Sequence, residues 1–490
     1  MMKKLLDFST SKSYLYIGVC VLLMMLSLCA ESKPGHGQSG FIHPANDTVL
    51  QADIQTALKL YHHELYFPKS VKRFYSSTNF SCMWVLPTNK ASRTWQAMLA
   101  LDCVLQFGLN HADYHPNDLK YGQLQQMMEK PQTISNATKA RFEIILTDAM
   151  LNLINNLHYG KLNPDFPSAK IDDFESSTFS AETILQLALH SADLMSAVTN
   201  VQPHSGQYTL LQDQLRLATA QYIGDCYEVP EATIRKMAVN LERLRWLGNT
   251  ERTYIQVNIP CYTLRFCKPD TTYQFRVIVG KPTTPTPTLQ SAITHFTTAP
   301  EWKMPQKIFV KELLPKALKD TAYLENNHFA IYNHKGAYVV PGKQNLKQVL
   351  QNVSKYYARQ SGGCDNALGL VVFRFANPFA VYLHDTPQQQ LFNKTNRALS
   401  HGCIRVEHAA ELAALLLQND GATGKIPILK KSMAADQNQS FVLKKRLPLA
   451  ITYLTCEVEN GLLTTYNDVY HLDSALEQAL YPSSTQLVLQ

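Results

Sequence analysis

Cys403 and His384 are the residues on which chemistry can be built. The cysteine ends the run Ser400-His401-Gly402-Cys403, and the histidine lies 19 residues before it. A neutral thiol is a weak nucleophile, so it needs a base or a local positive field, and an imidazole within reach supplies the base. Residues 380–383, Ala-Val-Tyr-Leu, read as a short apolar strand that ends at His384. Side chains alternate along a strand, so Tyr382 and His384 share a face. Asp385, Thr386 and Pro387 then stop the strand as turn residues. The backbone N–H groups of Gly402 and Cys403 are candidates to hold an oxyanion, and glycine there accepts an unusual backbone angle. Residues 407–418 read as an apolar-faced helix, so Cys403 is expected just before a helix start that lowers its pKa. Taken singly, such a cysteine is more often a small buried hydrophobe, and such a histidine a satisfied strand-end side chain.

The elements that must position these residues change character along the chain. Residues 48–247 have helical periodicity, clearest at 94–107, 140–158, 181–198, 208–222 and 230–246. From residue 253 the period becomes two, with strands at 254–260, 262–268 and 273–280. A proline-rich stretch at 283–288, a basic amphipathic helix near 307–319 and a strand at 370–375 follow, and residues 426–429 close the domain. A strand at 449–457 and a helix at 473–480 lie beyond it. Helices followed by strands make an α+β chain.

Composition narrows the class. The chain has 490 residues, 45% apolar and 17% charged, enough for two or three globular domains. The net charge is +7 and the basic residues read as scattered, so no nucleic-acid partner is expected. Lys3, Lys4 and Lys12 precede an apolar run at 14–30, the pattern of a secretory signal or a membrane anchor, and export to the periplasm follows. Eight cysteines lie beyond that run: Cys82, Cys103, Cys226, Cys261, Cys267, Cys364, Cys403 and Cys456. With Cys403 kept free, seven remain, so a second free thiol or an intermolecular bridge is expected. No spacing resembles a metal site. His111 and His115 stand four apart, but Pro116 follows at once and they read as loop histidines. No cofactor is expected.

The pattern of a strand-end His384, a spacer, Ser400-His401-Gly402-Cys403, an apolar residue and Arg405 resembles the active-site signature of the YkuD-type L,D-transpeptidases. Residues 157–164 and 240–247 look like the helical scaffold of the larger, YcbB-like periplasmic members. Many of those carry a wall-binding module between the last scaffold helices; here residues 223–229 are too few to hold one. The resemblance implies a mainly helical scaffold domain followed by a mostly β catalytic domain with a capping subdomain. The divisions are a signal or anchor at 1–30, a linker at 31–47, the scaffold at 48–250, the catalytic domain at 251–430 and an extension at 431–490. The cap, between Trp302 and Asn366-Ala367-Leu368-Gly369, spans 303–365.

The implied reaction is 3→3 cross-linking of peptidoglycan. Cys403 attacks the third residue of a tetrapeptide stem, D-Ala leaves, and an amine of a neighbouring stem resolves the thioester. His384 is the base. Tyr382, His401 and Ser400 are pocket residues, and Arg405 either binds a stem carboxylate or forms a structural ion pair. A backbone carbonyl near the turn, not Asp385, is expected to orient His384. Carbapenems acylate the resembled family. Donor and acceptor stems are the expected partners, with other cell-wall synthesis proteins on the scaffold. The alternatives are an L,D-carboxypeptidase, attachment of lipoproteins to the wall by the same thioester, and an inactive wall-binding scaffold protein.

Overall fold

A computed structural model describes residues 48–85, 91–173, 178–219, 230–248, 252–363 and 365–482. The expected signal or anchor and linker, and Cys226 and Cys364, lie outside the described residues. None of the described helices is long and apolar enough to cross a membrane.

The helical half is organised by one 24-residue helix, Asn136–Tyr159, started by Ser135, whose hydroxyl accepts the Thr138 N–H. From Phe142 to Leu157 every residue is buried, so its polar side chains must find partners inside. Glu143 accepts from the backbone N–H groups of Met83, Trp84 and Val85 and from the Tyr75 hydroxyl. Asp148 accepts from the N–H groups of Tyr66 and Phe67 and holds the His115 ring at 2.7 Å. Two buried carboxylates thus pin the loops around the helix, and His115 is a half-buried structural residue. The continuous helix expected at 181–198 is instead two, Ala181–His190 and Leu194–Thr199. Asp193 breaks it by capping the second piece, its carboxylate taking the Ser196 N–H.

The strands are β1 (Tyr254–Asn258), β2 (Thr263–Cys267), β3 (Thr272–Gly280), β4 (Leu289–Thr298), β5 (Trp302–Lys303), β6 (Phe329–Asn333), β7 (Tyr356–Gln360), β8 (Val371–Phe375), β9 (Leu383–His384), β10 (Ala398–Ser400), β11 (Ile404–Val406), β12 (Gln439–Thr452), β13 (Cys456–Glu459) and β14 (Leu462–Thr465). Nine of them form one sheet in the order β10-β3-β11-β9-β8-β4-β12-β1-β2, and β2 also pairs with β3, so the sheet closes on itself. Its core is built from inward residues such as Val257, Phe266, Val277, Phe296, Phe373, Leu383, Ile404 and Ile451, with the helix Ala409–Asn419 packed on it.

Further features differ from the reading of the sequence. β4 was not anticipated. β12 lies in what was expected to be an extension past residue 430, yet it pairs with both β1 and β4 and completes the barrel. Residues 426–429 open a helix, Ile426–Ala434.

β5, β6 and β7 form a separate three-stranded sheet. With helical segments over Gln306–Lys319 and Lys343–Gln351, it encloses its own core of Met304, Phe309, Leu313, Ile331, Leu346 and Ala358, the cap. The last scaffold helices, Gly206–Thr219 and Glu231–Leu247, share a core with Leu454 and Cys456. Asn240 exchanges hydrogen bonds with Thr455, and Arg243 pairs with Asp473 at 2.6 Å, so scaffold and barrel are joined by a buried seam.

Candidate active site

β9 runs parallel to β11, with Leu383 beside Ile404 and His384 beside Arg405. The Ile404 N–H donates to the Tyr382 carbonyl at 3.0 Å, which sets Cys403 alongside Tyr382. Leu383 and Ile404 point into the barrel core. Alternation therefore sends Tyr382, His384, Cys403 and Arg405 to the other face. The expected strand at 380–384 is shorter than read. Ala380 has φ +54 and the Asn377 side chain accepts the Val381 N–H, so a tight turn occupies 377–381.

His384 is buried, with Nδ1 2.5 Å from the Asp385 carbonyl. A carbonyl only accepts, so in the neutral ring the hydrogen on Nδ1 satisfies it, and the Leu368 carbonyl also faces the ring. Burial, and then the Arg405 charge, lower the imidazole pKa to about 3. Stability therefore depends on this ring. Between about pH 6.5 and pH 3 the unfolded chain takes up a proton that the folded one refuses, so the contribution is full above that window and lost as pH falls through it.

The Asp385 carboxylate faces away, accepting the Leu370 N–H at 2.9 Å and the Gln389 amide at 3.1 Å. Gly369 makes this possible: its φ is +60, and a Cβ there would lie 2.5 Å from the Asp385 carboxylate. Gly369→Ala is expected to cost about 1–3 kcal/mol through backbone strain and to shift the His384 turn. A thermal melt and a turnover assay check this; an unchanged melt with full activity would contradict it.

Cys403 is half-buried, and burial pushes its thiol above the usual range. The neighbouring Tyr382 and the charges of Arg374 and Arg405 oppose that rise without overcoming it. The pKa-lowering helix start expected here is absent. Ile404–Val406 pairs with β3 and β9 instead, and the helix begins only at Ala409. With a neutral ring beside a neutral thiol, alkylation of Cys403 by iodoacetamide is expected to keep rising through pH 9. A plateau below pH 7 would reveal a thiolate–imidazolium pair and contradict this geometry.

Gly402 needs glycine for its φ of +118. Its N–H donates to Ser400 Oγ at 3.1 Å, so of the two expected oxyanion donors it is already engaged. Ser400 is buried and also donates to the Cys403 carbonyl at 2.6 Å. Ser400, expected among the pocket residues, thus braces the turn from a buried position. The Gly402 carbonyl accepts from Thr286, whose N–H is hydrogen-bonded to the Tyr470 hydroxyl at 3.2 Å. Arg405 donates to Gln388 at 2.9 Å, its Nε is buried without a partner, and no carboxylate pairs with it among the described residues.

Comparison with known proteins places this face in a family. Residues 252–428 match the model of the L,D-transpeptidase catalytic domain, and residues 69–215 match that of the Scaffold domain. Residues 252–428 are a YkuD-family L,D-transpeptidase catalytic domain. A Haemophilus influenzae protein named "Putative L,D-transpeptidase" is 34% identical over 248 residues, which are 50% of this chain and 49% of that protein. The match thus spans about half the length of the relative. A solved structure of the Ldtfm-avibactam carbamoyl enzyme aligns with 62% of this chain and 96% of its own at 13% identity, with a TM-score of 0.20, too low to bear on the fold.

The YkuD domain holds further residues at the site that the sequence reading passed over. Arg374, next to the Phe373–Leu383 pair of the β8–β9 ladder, has its guanidinium 5.0 Å from the Tyr382 ring. Alternation in Val371–Phe375 was the signal for it. Trp302, at the foot of the cap, acts on the Tyr382 hydroxyl and opposes the rise that burial gives its pKa. His401 is exposed, with Nε2 2.6 Å from Glu312 of the cap. Thr286 and Tyr470, which hold the turn before Cys403, lie in a loop and in the C-terminal segment and carried no sequence signal.

Proposed function

We propose that this protein is a peptidoglycan L,D-transpeptidase that forms 3→3 cross-links through a thioester on Cys403. The observation that supports the reading most is the register of β9 on β11, which gathers Tyr382, His384, Cys403 and Arg405 on one face of a YkuD catalytic domain. A stem carboxylate is the proposed partner of Arg405. Its negative charge offsets the field that holds the His384 pKa down, so substrate binding itself makes the imidazole a better base.

In the first half-reaction the thiol proton passes to His384 as sulfur adds to the stem carbonyl. The Cys403 N–H is the proposed donor to the oxyanion. The C–N bond breaks, and the proton leaves with the D-Ala amine. In the second half the acceptor amine loses a proton to His384, adds to the thioester, and expels the sulfur, which regains the proton. No cofactor is required. Export to the periplasm, by the leader or anchor at 14–30, belongs to the same reading because the substrate lies there, and the scaffold is the proposed contact for other cell-wall synthesis proteins.

Incubation with purified sacculi tests the reading. Muropeptide analysis is expected to show new 3→3 dimers with release of D-Ala. Tripeptides without dimers would make water the acceptor and the protein a carboxypeptidase; unchanged muropeptides would contradict the proposal.

A further inference from the structure

The cap carries a surface that the reaction at Cys403 does not use. Lys303 stands opposite Arg359 across β5 and β7, and Tyr332 opposite Tyr357 across β6 and β7. Alternation puts these four on one side of the small sheet, away from Ile331 and Ala358, which face the cap core. The rings of Tyr332 and Tyr357 stack at 5.6 Å, and Tyr338 adds a third ring 6.1 Å from Tyr332. Lys303 lies 5.1 Å from the Tyr357 ring, and the Arg359 guanidinium 5.3 and 5.7 Å from Tyr357 and Tyr332. Tyr338 is 53% exposed and Val340 beside it 64%.

Charge is concentrated on this subdomain. Residues 303–365 hold nine Lys and one Arg against four acidic residues, a net of +6 in a chain whose total is +7. The basic residues are scattered along the chain, but outside this subdomain acidic residues nearly balance them. Lys303, Lys335, Lys343 and Lys355 are all exposed.

We propose that the tyrosine face of the cap binds the glycan strand of the cell wall, whose stem peptides carry the carboxylates, and holds the polymer while a stem peptide reaches Cys403. The proposal rests on the function proposed above. A row of aromatic rings offers flat apolar faces to the C–H faces of successive sugars, and the cations beside them attract the carboxylates that the polymer carries. A nucleic acid or an anionic bilayer shares only the charge with this ligand. The cations already covering two of the rings limit how deeply bases could stack, and Tyr338 with Val340 is too small an apolar patch to anchor in a membrane.

Co-sedimentation of the full chain with purified sacculi reads the binding. Tyr338→Ala, and separately Lys303→Gln with Lys335→Gln, are each expected to weaken it about tenfold, and binding of the natural chain is expected to fall as salt rises. Acylation of Cys403 by a small soluble tetrapeptide is expected to be unchanged in these variants. Variants that sediment like the natural chain would overturn the proposal. So would a natural chain that prefers phosphatidylglycerol vesicles or a thymidine oligonucleotide to sacculi. Sedimentation decides the matter even where no acylation is seen, so failure of the surface and failure of the transpeptidase reading remain distinct.

Discussion

Cys403→Ala is expected to abolish both acylation and cross-linking. The thioester has to form on a sulfur that shares a face with the base and has a hydrogen-bond donor at the adjacent carbonyl. Among the described cysteines only Cys403 stands beside His384 and Arg405 in the β9–β11 ladder. Cys261 and Cys456 have thiols pushed up to about 11 and about 12 by burial, and Cys82 is buried against Glu143. None of these sits on the strand face that carries the base. A carbapenem, a strained acyl donor, is expected to add one mass to the natural chain and none to the variant. Cross-linking that persists in Cys403→Ala would show that another residue carries the acyl group.

His384→Ala is expected to lower the rate roughly 10²–10⁴-fold, the usual contribution of a general base. The ring is aligned by the Asp385 carbonyl, so its removal takes away an aligned acceptor without unmaking the strand pairing. The fold should survive, and the variant should lose much of the acid sensitivity that the low imidazole pKa confers. Kinetics with a soluble tetrapeptide donor and a melt at pH 5 and pH 7.5 check both halves. A near-normal rate would move the base elsewhere. His401 is a weak successor, since Glu312 holds its ring on the cap side of the turn.

The site was legible in the sequence because its residues lie close along the chain and obey strand alternation. Tyr382 with His384, and Cys403 with Arg405, are each two apart, so both pairs fall on one face once β9 and β11 exist. The electrostatics were not legible. Burial raises the thiol and lowers the imidazole, and burial depends on what packs over the strands. β4 escaped because a register shift between Ile293 and His295 interrupts its alternation. In β12 the basic run Lys444-Lys445-Arg446 falls in a break of the ladder between Val442 and Leu447 and reads as surface. The charge of the cap looked diffuse because its lysines are spread over 303–365 and come together only when that segment folds as a unit.

Trapping the acyl-enzyme tests the central claim most directly. The natural chain, mixed with a soluble tetrapeptide donor and quenched in acid, is expected to gain the mass of the stem less D-Ala, on the peptide that contains Cys403. An unmodified Cys403 during active cross-linking, or the same mass on another residue, would contradict the account.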